Sequence, residues 1–114
     1  MPAGREPLSR AAPQEPLSRR GTQVRFQPGS ALLLPDQAGV LRALASRRGA
    51  APVAVTGYGD AGADTPDAQS EALSLGLQRA QAMSAVLGTY GVPAGAIRIA
   101  AEAFGRGGTV RLIQ

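Results

Sequence analysis

The chain has no cysteine and no histidine among its 114 residues. Without cysteine, a disulfide, a thiolate metal site and a cysteine nucleophile are all excluded. Without histidine, the commonest general base and the commonest metal ligand are missing as well. No serine stands in a nucleophile elbow either. We therefore predict a protein that is not an enzyme and that carries no cofactor.

Aromatic residues are also scarce, since the chain has no tryptophan, two phenylalanines and two tyrosines. Apolar residues make up 44% of the sequence, and many of them are alanine. A chain of this length forms one domain. Its core must be aliphatic and thin, because few large side chains are available to fill it.

Lysine is absent, so all twelve basic residues are arginines, and the net charge is +4. No aromatic residues interleave with the basic ones, so this small surplus predicts no nucleic-acid binding. Apolar runs stay shorter than the roughly 18 residues that a membrane span needs, and the N-terminus shows no signal-peptide h-region. We expect the protein to associate with a membrane only through an anchor that is not in this chain.

Residues 1–21 contain four prolines and a pentapeptide that occurs twice. The two copies are Glu6-Pro7-Leu8-Ser9-Arg10 and Glu15-Pro16-Leu17-Ser18-Arg19. This composition is typical of a disordered spacer, with a linear partner-binding motif as the alternative. We predict a tail over 1–21 and a folded domain over 22–114.

Four segments alternate polar and apolar residues, which predicts strands at 22–26, 52–57, 97–103 and 109–113. Two segments between them show helical periodicity instead. The first runs from Pro35 to about Arg48, and the second starts at Pro66 or near Ser70 and ends before Gly91. The apolar residues of the second helix recur at steps of three and four, so we expect them to face the core. They are Leu73, Leu77, Ala80, Met83, Leu87 and Tyr90.

The predicted element order is β-α-β-α-β-β. Helices between strands favour parallel strand pairs joined by right-handed crossovers. We interpret residues 105–108 as the turn of a final hairpin, which adds an antiparallel strand at the sheet edge. The predicted fold is therefore α+β, a two-layer sandwich with a mixed four-stranded sheet and two helices on one face.

The second predicted strand runs directly into a glycine-rich turn that carries one carboxylate, Asp60. We expect Gly57, Gly59 and Gly62 to let the backbone leave the sheet through conformations closed to other residues. An acid on a loop at the end of a strand lies where ligands tend to bind in folds with helices and strands. The alternative is a solvated turn aspartate without a role.

Four short motifs, taken in this order and spacing, resemble the C-terminal domain family of outer-membrane protein A, which includes the peptidoglycan-associated lipoproteins. The likeness covers about residues 22–113. The motifs are Phe26-x-Pro28-Gly29-Ser30-Ala31-x-Leu33-x-Pro35, Gly57-Tyr58-Gly59-Asp60, Leu75-Gly76-Leu77-Gln78-Arg79-Ala80 and Gly91-Val92-Pro93-Ala94.

This resemblance implies a non-catalytic module that binds peptidoglycan through a diaminopimelate-type stem peptide. Asp60 would bind the ammonium group of the diaminopimelate, and Arg79 would bind its carboxylate, since a guanidinium grips a carboxylate in two places. Gly59, Ala61 and Gly62 would complete the ligand-binding turn. The resemblance also implies a location in the periplasm, associated with the outer membrane, and envelope proteins of a larger assembly as partners.

The chain departs from the family pattern at several places, including an interval from Asp60 to Leu75 that is a few residues longer than usual and Tyr58 in place of the usual histidine. Gly59 replaces the usual threonine, Ala72 replaces the usual asparagine, and residues 105–108 replace a longer, polar, arginine-containing segment. These departures leave open a structural ion pair between Asp60 and Arg79, or no contact at all. They also leave open a scaffold domain of a pilus or secretion-system lipoprotein that no longer binds peptidoglycan.

Three further acidic residues follow Asp60 and raise the question of a metal site. Asp64, Asp67 and Glu71 are spread over eight positions, whereas loops that bind hard cations carry oxygen ligands at denser spacing around a fixed glycine. We therefore predict no metal site here.

Overall fold

The structure is a computed structural model that describes residues 21–113. The predicted tail over 1–21 lies outside the described residues except for Gly21, and so does Gln114. The element order is the predicted one. The elements are β1 (Thr22–Val24), α1 (Gln37–Arg47), β2 (Val53–Tyr58), α2 (Pro66–Thr89), a short 3-10 helix (Ala94–Ala96), β3 (Ile97–Glu102) and β4 (Gly108–Leu112).

The four strands form one mixed sheet in the order β1-β4-β2-β3. Strands β2 and β3 are parallel, with Val53 opposite Ile97, whereas β4 runs antiparallel to both β2 and β1. The predicted α+β fold, with a mixed four-stranded sheet and two helices, is confirmed. Both helices pack against this sheet and against each other.

The predicted final hairpin is wrong, because β3 and β4 are not neighbours in the sheet. The crossover through α2 places β3 beside one edge of β2. Strand β4 pairs with the other edge of β2 and also hydrogen-bonds to β1. The connection between Glu102 and Gly108 therefore crosses over the carboxyl end of β2. This crossing segment, residues 103–107, lies directly against the turn that carries Asp60.

The core is aliphatic, as the scarcity of aromatic residues predicts. Phe26 is the one aromatic side chain of the described residues that is buried, whereas Phe104 and Tyr90 are about half exposed. The remaining core side chains come from both helices and three strands. They include Val24, Leu41, Leu44, Val53, Val55, Met83, Leu87 and Val110.

Helix α2 begins at the earlier of the two predicted starts. Its N-cap is Thr65, whose side-chain oxygen accepts a hydrogen bond from the Ala68 N–H at 3.2 Å, and Pro66 occupies the first turn. The helix ends before Gly91, which has a φ of 96°. In the described part of the chain, no helix is both long and apolar enough to cross a membrane.

The predicted apolar stripe of α2 is only half correct. Leu73, Leu77 and Tyr90 are 44%, 43% and 42% exposed. In its first half, the face that packs on the sheet lies one step further around the helix, so that the small residues Ala72 and Gly76 are buried in place of Leu73 and Leu77. Its buried residues are Ala72, Gly76, Arg79, Ala80, Met83 and Leu87.

Small residues face the sheet because α2 lies unusually close to β2. A Cβ atom on Gly57 would overlap the carbonyl oxygen of Gly76, and one on Gly59 would overlap that of Ala72. The predicted role of these glycines is therefore wrong, since Gly57, Gly59 and Gly62 all lack a positive φ. The first two serve close approach of a helix to a strand.

Candidate functional site

A cleft of about 660 Å³ opens at the carboxyl end of β2. This volume lies within the range of sites for small ligands. Its walls come from β1 and the segment that follows it, from the Asp60 turn, from α2 and from the crossing segment. The lining residues are Gln23, Arg25, Phe26, Pro28, Leu34, Asp60, Ala61, Gly62, Arg79, Gly105, Arg106 and Gly107.

The Asp60 turn is held to the sheet by the backbone on its other side. The N–H groups of Tyr58, Gly59, Asp60 and Ala61 donate, in that order, to the carbonyls of Gly107, Glu102, Gly105 and Ala103 at 2.9, 2.9, 3.0 and 2.9 Å. Four successive hydrogen bonds leave the turn little freedom. The sheet order explains them, because the crossing segment must pass this turn to reach β4.

Asp60 itself adopts a left-handed backbone conformation with a φ of 58°, and it is the one residue other than glycine in 21–113 that has a positive φ. Aspartate tolerates this conformation better than most residues, at a cost of about 1 kcal/mol. The conformation turns the Asp60 side chain toward α2, where its Oδ2 atom lies 2.9 Å from the Arg79 guanidinium. The side chain is 30% exposed.

Arg79 is almost completely buried, with its side chain 1% exposed. Its Nε donates to the Ser30 carbonyl at 2.8 Å, and its Nη1 donates to the Tyr58 carbonyl at 2.8 Å. Its Nη2 donates both to the Gln27 carbonyl at 3.2 Å and to Asp60 Oδ2 at 2.9 Å. One guanidinium thus joins the loop at 27–30 to the end of β2.

The ring of Phe26 covers the same guanidinium, with its centroid 5.3 Å from the Arg79 Cζ atom. A buried cation is stable only when its charge and its donors are matched. Asp60 supplies the opposite charge, and the three carbonyls take most of the remaining donors. The arrangement makes Arg79 a fixed part of the cleft floor.

The structure therefore brings four of the five predicted site residues to one cleft: Asp60, Ala61, Gly62 and Arg79. The fifth, Gly59, is buried beneath α2 and does not line the cleft. Within residues 21–113, no group of three acidic side chains is placed as metal ligands would be.

Sequence reasoning missed Arg25 and Arg106, two exposed arginines on the cleft walls. Arg106 belongs to the segment that we interpreted as a simple hairpin turn. The one signal in the sequence is an arginine flanked by two glycines, Gly105 and Gly107. Its position at the site follows only from the order of the strands.

Arg25 has a competing partner in the loop before α1. Its Nη2 lies 3.4 Å from Asp36 Oδ2, and both side chains are exposed. A hydrogen bond from the Gln37 side chain lowers the pKa of Asp36 below its usual value, with a smaller contribution from Arg25. Asp36 therefore stays ionised at neutral pH and partly neutralises Arg25.

These features, a two-layer α+β fold with an acidic turn facing a helix arginine, define the class of the protein. The chain belongs to the OmpA family, whose model matches residues 25–111. This match confirms the resemblance seen in the sequence. Among curated proteins, none matches this chain in sequence.

Solved structures with the same fold include the C-terminal domain of Helicobacter pylori MotB in two crystal structures. Their TM-scores are 0.61 and 0.62 at 16% identity, over 81% and 82% of this chain and 83% and 84% of theirs. A longer periplasmic domain of the same protein gives a TM-score of 0.57 at 17% identity, over 72% of this chain and 53% of that one. At these identities the likeness concerns the fold.

Proposed function

We propose that this domain is a non-catalytic peptidoglycan-binding module that takes the diaminopimelate of a stem peptide into the cleft beside Asp60. The observation that carries the proposal is the placement of Asp60, which is held by Arg79 on one oxygen and still 30% exposed to the cleft. A carboxylate fixed in this way is a preorganised acceptor for an ammonium group. Membership of the OmpA family supports the same ligand.

Asp60, Ala61 and Gly62 are the proposed ligand contacts. Arg79 binds the Oδ2 atom of Asp60, and no described residue donates a hydrogen bond to its Oδ1 atom. In this proposal Oδ1 accepts a hydrogen bond from the ligand. Arg79 enters with a different role from the one implied by the resemblance. Since it is 1% exposed and donates four hydrogen bonds, it positions Asp60 and the loop at 27–30.

The proposed location is the periplasm, which agrees with the MotB fragment of the same fold being a periplasmic domain. Association with the outer membrane, through an anchor outside this chain, and attachment of a larger assembly to the cell wall belong to the same proposal. No residue of the cleft is assigned a catalytic role.

An NMR titration with meso-diaminopimelate, and with a stem tripeptide that ends in it, tests the proposal. We expect amide shifts for residues 59–62 at millimolar ligand, and we expect Asp60→Asn to abolish them because the ammonium loses its counter-charge. Asp67→Asn is the matched control, since Asp67 lies in the first turn of α2 and outside the cleft. No shifts in the unaltered protein at millimolar ligand would overturn the proposed function.

A second candidate is a scaffold domain of a pilus or secretion-system assembly without a glycan ligand. The burial of Arg79 favours it, because the Asp60–Arg79 pair is complete as a structural ion pair. This candidate predicts that partner proteins of the assembly are captured equally by the unaltered domain and by Asp60→Ala, while the titration with stem tripeptide shows no binding.

A further inference from the structure

The cleft needs a second cation if its ligand carries a carboxylate. Arg79, the arginine that the family pattern assigns to this task, donates to three carbonyls and to Asp60. Only one N–H, on Nη1, is left of the five that a guanidinium offers. A ligand carboxylate therefore cannot form a two-pronged contact with Arg79 unless the loop at 27–30 is displaced.

Two other arginines line the cleft, and their surroundings differ. Arg25 lies 3.4 Å from Asp36, which stays ionised at neutral pH. Arg106 has no carboxylate within 4 Å among the described residues. Its side chain is exposed on the cleft wall. Of the two, Arg106 has the more available charge for a ligand.

The backbone that carries Arg106 is anchored on three consecutive carbonyls. The Gly105 carbonyl accepts from the Asp60 N–H at 3.0 Å, and the Gly107 carbonyl accepts from the Tyr58 N–H at 2.9 Å. The Arg106 carbonyl between them accepts from Gln23 Nε2 at 3.1 Å. Gly105 and Gly107 have φ values of 98° and 64°, which suit glycine. Arg106 is thus fixed at its base, one residue from the hydrogen bond that holds Asp60.

The charges of the domain support this assignment. The four charged residues that line the cleft are three arginines and one aspartate, a surplus of two positive charges. Elsewhere in residues 22–114, five arginines are matched by five acidic residues. By its lining residues the cleft carries the positive surplus of the domain, although Asp36 offsets part of the Arg25 charge from 3.4 Å away. A positive surplus at the cleft favours a ligand that carries a carboxylate beside its ammonium group.

We propose that Arg106 binds the carboxylate of the diaminopimelate whose ammonium group contacts Asp60, and that the cleft selects stem peptides in which this carboxylate is free rather than amidated. The inference rests on the proposed function. A carboxamide carries no charge and places an N–H₂ donor opposite a guanidinium that only donates. Amidation therefore removes the attraction and adds an unfavourable donor–donor contact.

The test measures, by NMR titration of the full chain, the affinity of a stem tripeptide that ends in meso-diaminopimelate. The carboxylate beside the free ammonium group of the diaminopimelate is either free or amidated. We expect the unaltered protein to bind the free form about fivefold more tightly, as an exposed charge pair allows. Arg106→Gln should lose this preference while its spectrum shows an intact fold. Arg106→Lys should keep part of it, because the charge remains but the fork is lost.

Arg111→Gln is the matched control, because it removes the same charge from an exposed strand residue outside the cleft. It should retain the full preference. If the unaltered protein binds both peptides and Arg106→Gln binds them with the same preference, the inference is overturned and the proposed function stands. If the loss follows Arg25→Gln instead, the inference is also overturned. If the unaltered protein binds neither peptide, both proposals fall.

Discussion

Asp60 carries two constraints at a single position. Its backbone is left-handed, with a φ of 58°, and its carboxylate neutralises the buried Arg79. A glycine would satisfy the backbone but not the charge, whereas most charged residues would satisfy neither. Aspartate meets both, because its short side chain tolerates the left-handed region and reaches the guanidinium. A strained residue held by four neighbouring hydrogen bonds is typical of a binding turn.

The backbone constraint can be measured apart from the charge by comparing Asp60→Gly with Asp60→Ala. Both variants lose the ion pair, but only alanine keeps the left-handed strain. We expect Asp60→Gly to be more stable than Asp60→Ala by about 1 kcal/mol in urea unfolding. At Asp67, in the first turn of α2, the order should reverse, because alanine is favoured over glycine in a helix. An equal stability of the two Asp60 variants would show that the turn relaxes.

Asp60 and Arg79 could be picked out from the sequence because each belongs to a short motif of recognisable spacing. The burial of Arg79 could not be foreseen in the same way. Two of its partners, the carbonyls of Gln27 and Ser30, lie about fifty positions away in a loop with no regular structure. Backbone carbonyls leave no residue-type signature in a sequence, so a structural arginine and a ligand-binding arginine look alike.

The close contact between β2 and α2 gives a physical reason for two departures from the family pattern. Threonine at the position of Gly59 would place its Cβ atom onto the Ala72 carbonyl. Ala72, at the position of the family asparagine, is itself buried against the strand. The close approach of the α2 backbone thus explains the glycine at position 59, and the burial of Ala72 fits a small side chain at position 72.

This contact predicts opposite effects for two neighbouring glycines. Gly59→Ala must push α2 away from β2, because the atom that it meets belongs to the helix backbone. We expect a loss of about 2 kcal/mol or more in the free energy of unfolding. Gly62→Ala has open space around it and an ordinary φ, so it should be neutral or stabilise by about 0.4–1 kcal/mol. Urea unfolding of both variants checks the pair.

A Gly59→Ala variant as stable as the unaltered protein would contradict the close helix–strand contact. Ligand titration adds a second reading of the same variants. Displacing α2 also moves Arg79 relative to Asp60, so Gly59→Ala should weaken stem-peptide binding, while Gly62→Ala should alter it only through its own contact with the ligand.

The position of β4 shows the limit of periodicity as a guide to topology. Alternation identified both β3 and β4 as strands, and the five residues between them suggested a hairpin. However, crossing one intervening strand takes only two strand spacings, about 10 Å. Five extended residues can span about 17 Å. The connection length therefore fits both arrangements. The deciding factor is that the strand edges of β1 and β2 both need a hydrogen-bonding partner, and β4 supplies it.

The position of the positive charges on the domain changes which class of ligand the net charge favours. A net charge of +4 and a sequence pI of about 11.0 would fit a nucleic-acid-binding surface. However, the surplus of the domain lies at one cleft around a buried ion pair, and the rest of the domain is balanced. A stripe of basic residues along a face is the footprint of a nucleic acid, whereas a small positive cleft with one carboxylate suits a small zwitterion.

The predicted boundary near residue 21 leads to a prediction about the chain as a whole. The buried hydrophobic residues of the described part lie between Val24 and Val110, and the cleft is lined by residues 23–107. Deleting residues 1–20 should therefore change the free energy of unfolding by less than about 0.5 kcal/mol, although it removes four arginines and two glutamates and lowers the net charge from +4 to +2.

Deletion through Phe26 is the contrasting variant, because it removes β1 and two core side chains, and it should unfold the domain. Urea unfolding and the stem-peptide titration check both chains. A loss of more than about 1 kcal/mol in the shorter deletion would show that the first 20 residues are part of the folded unit, because a detached spacer contributes no buried contact whose removal could cost that much.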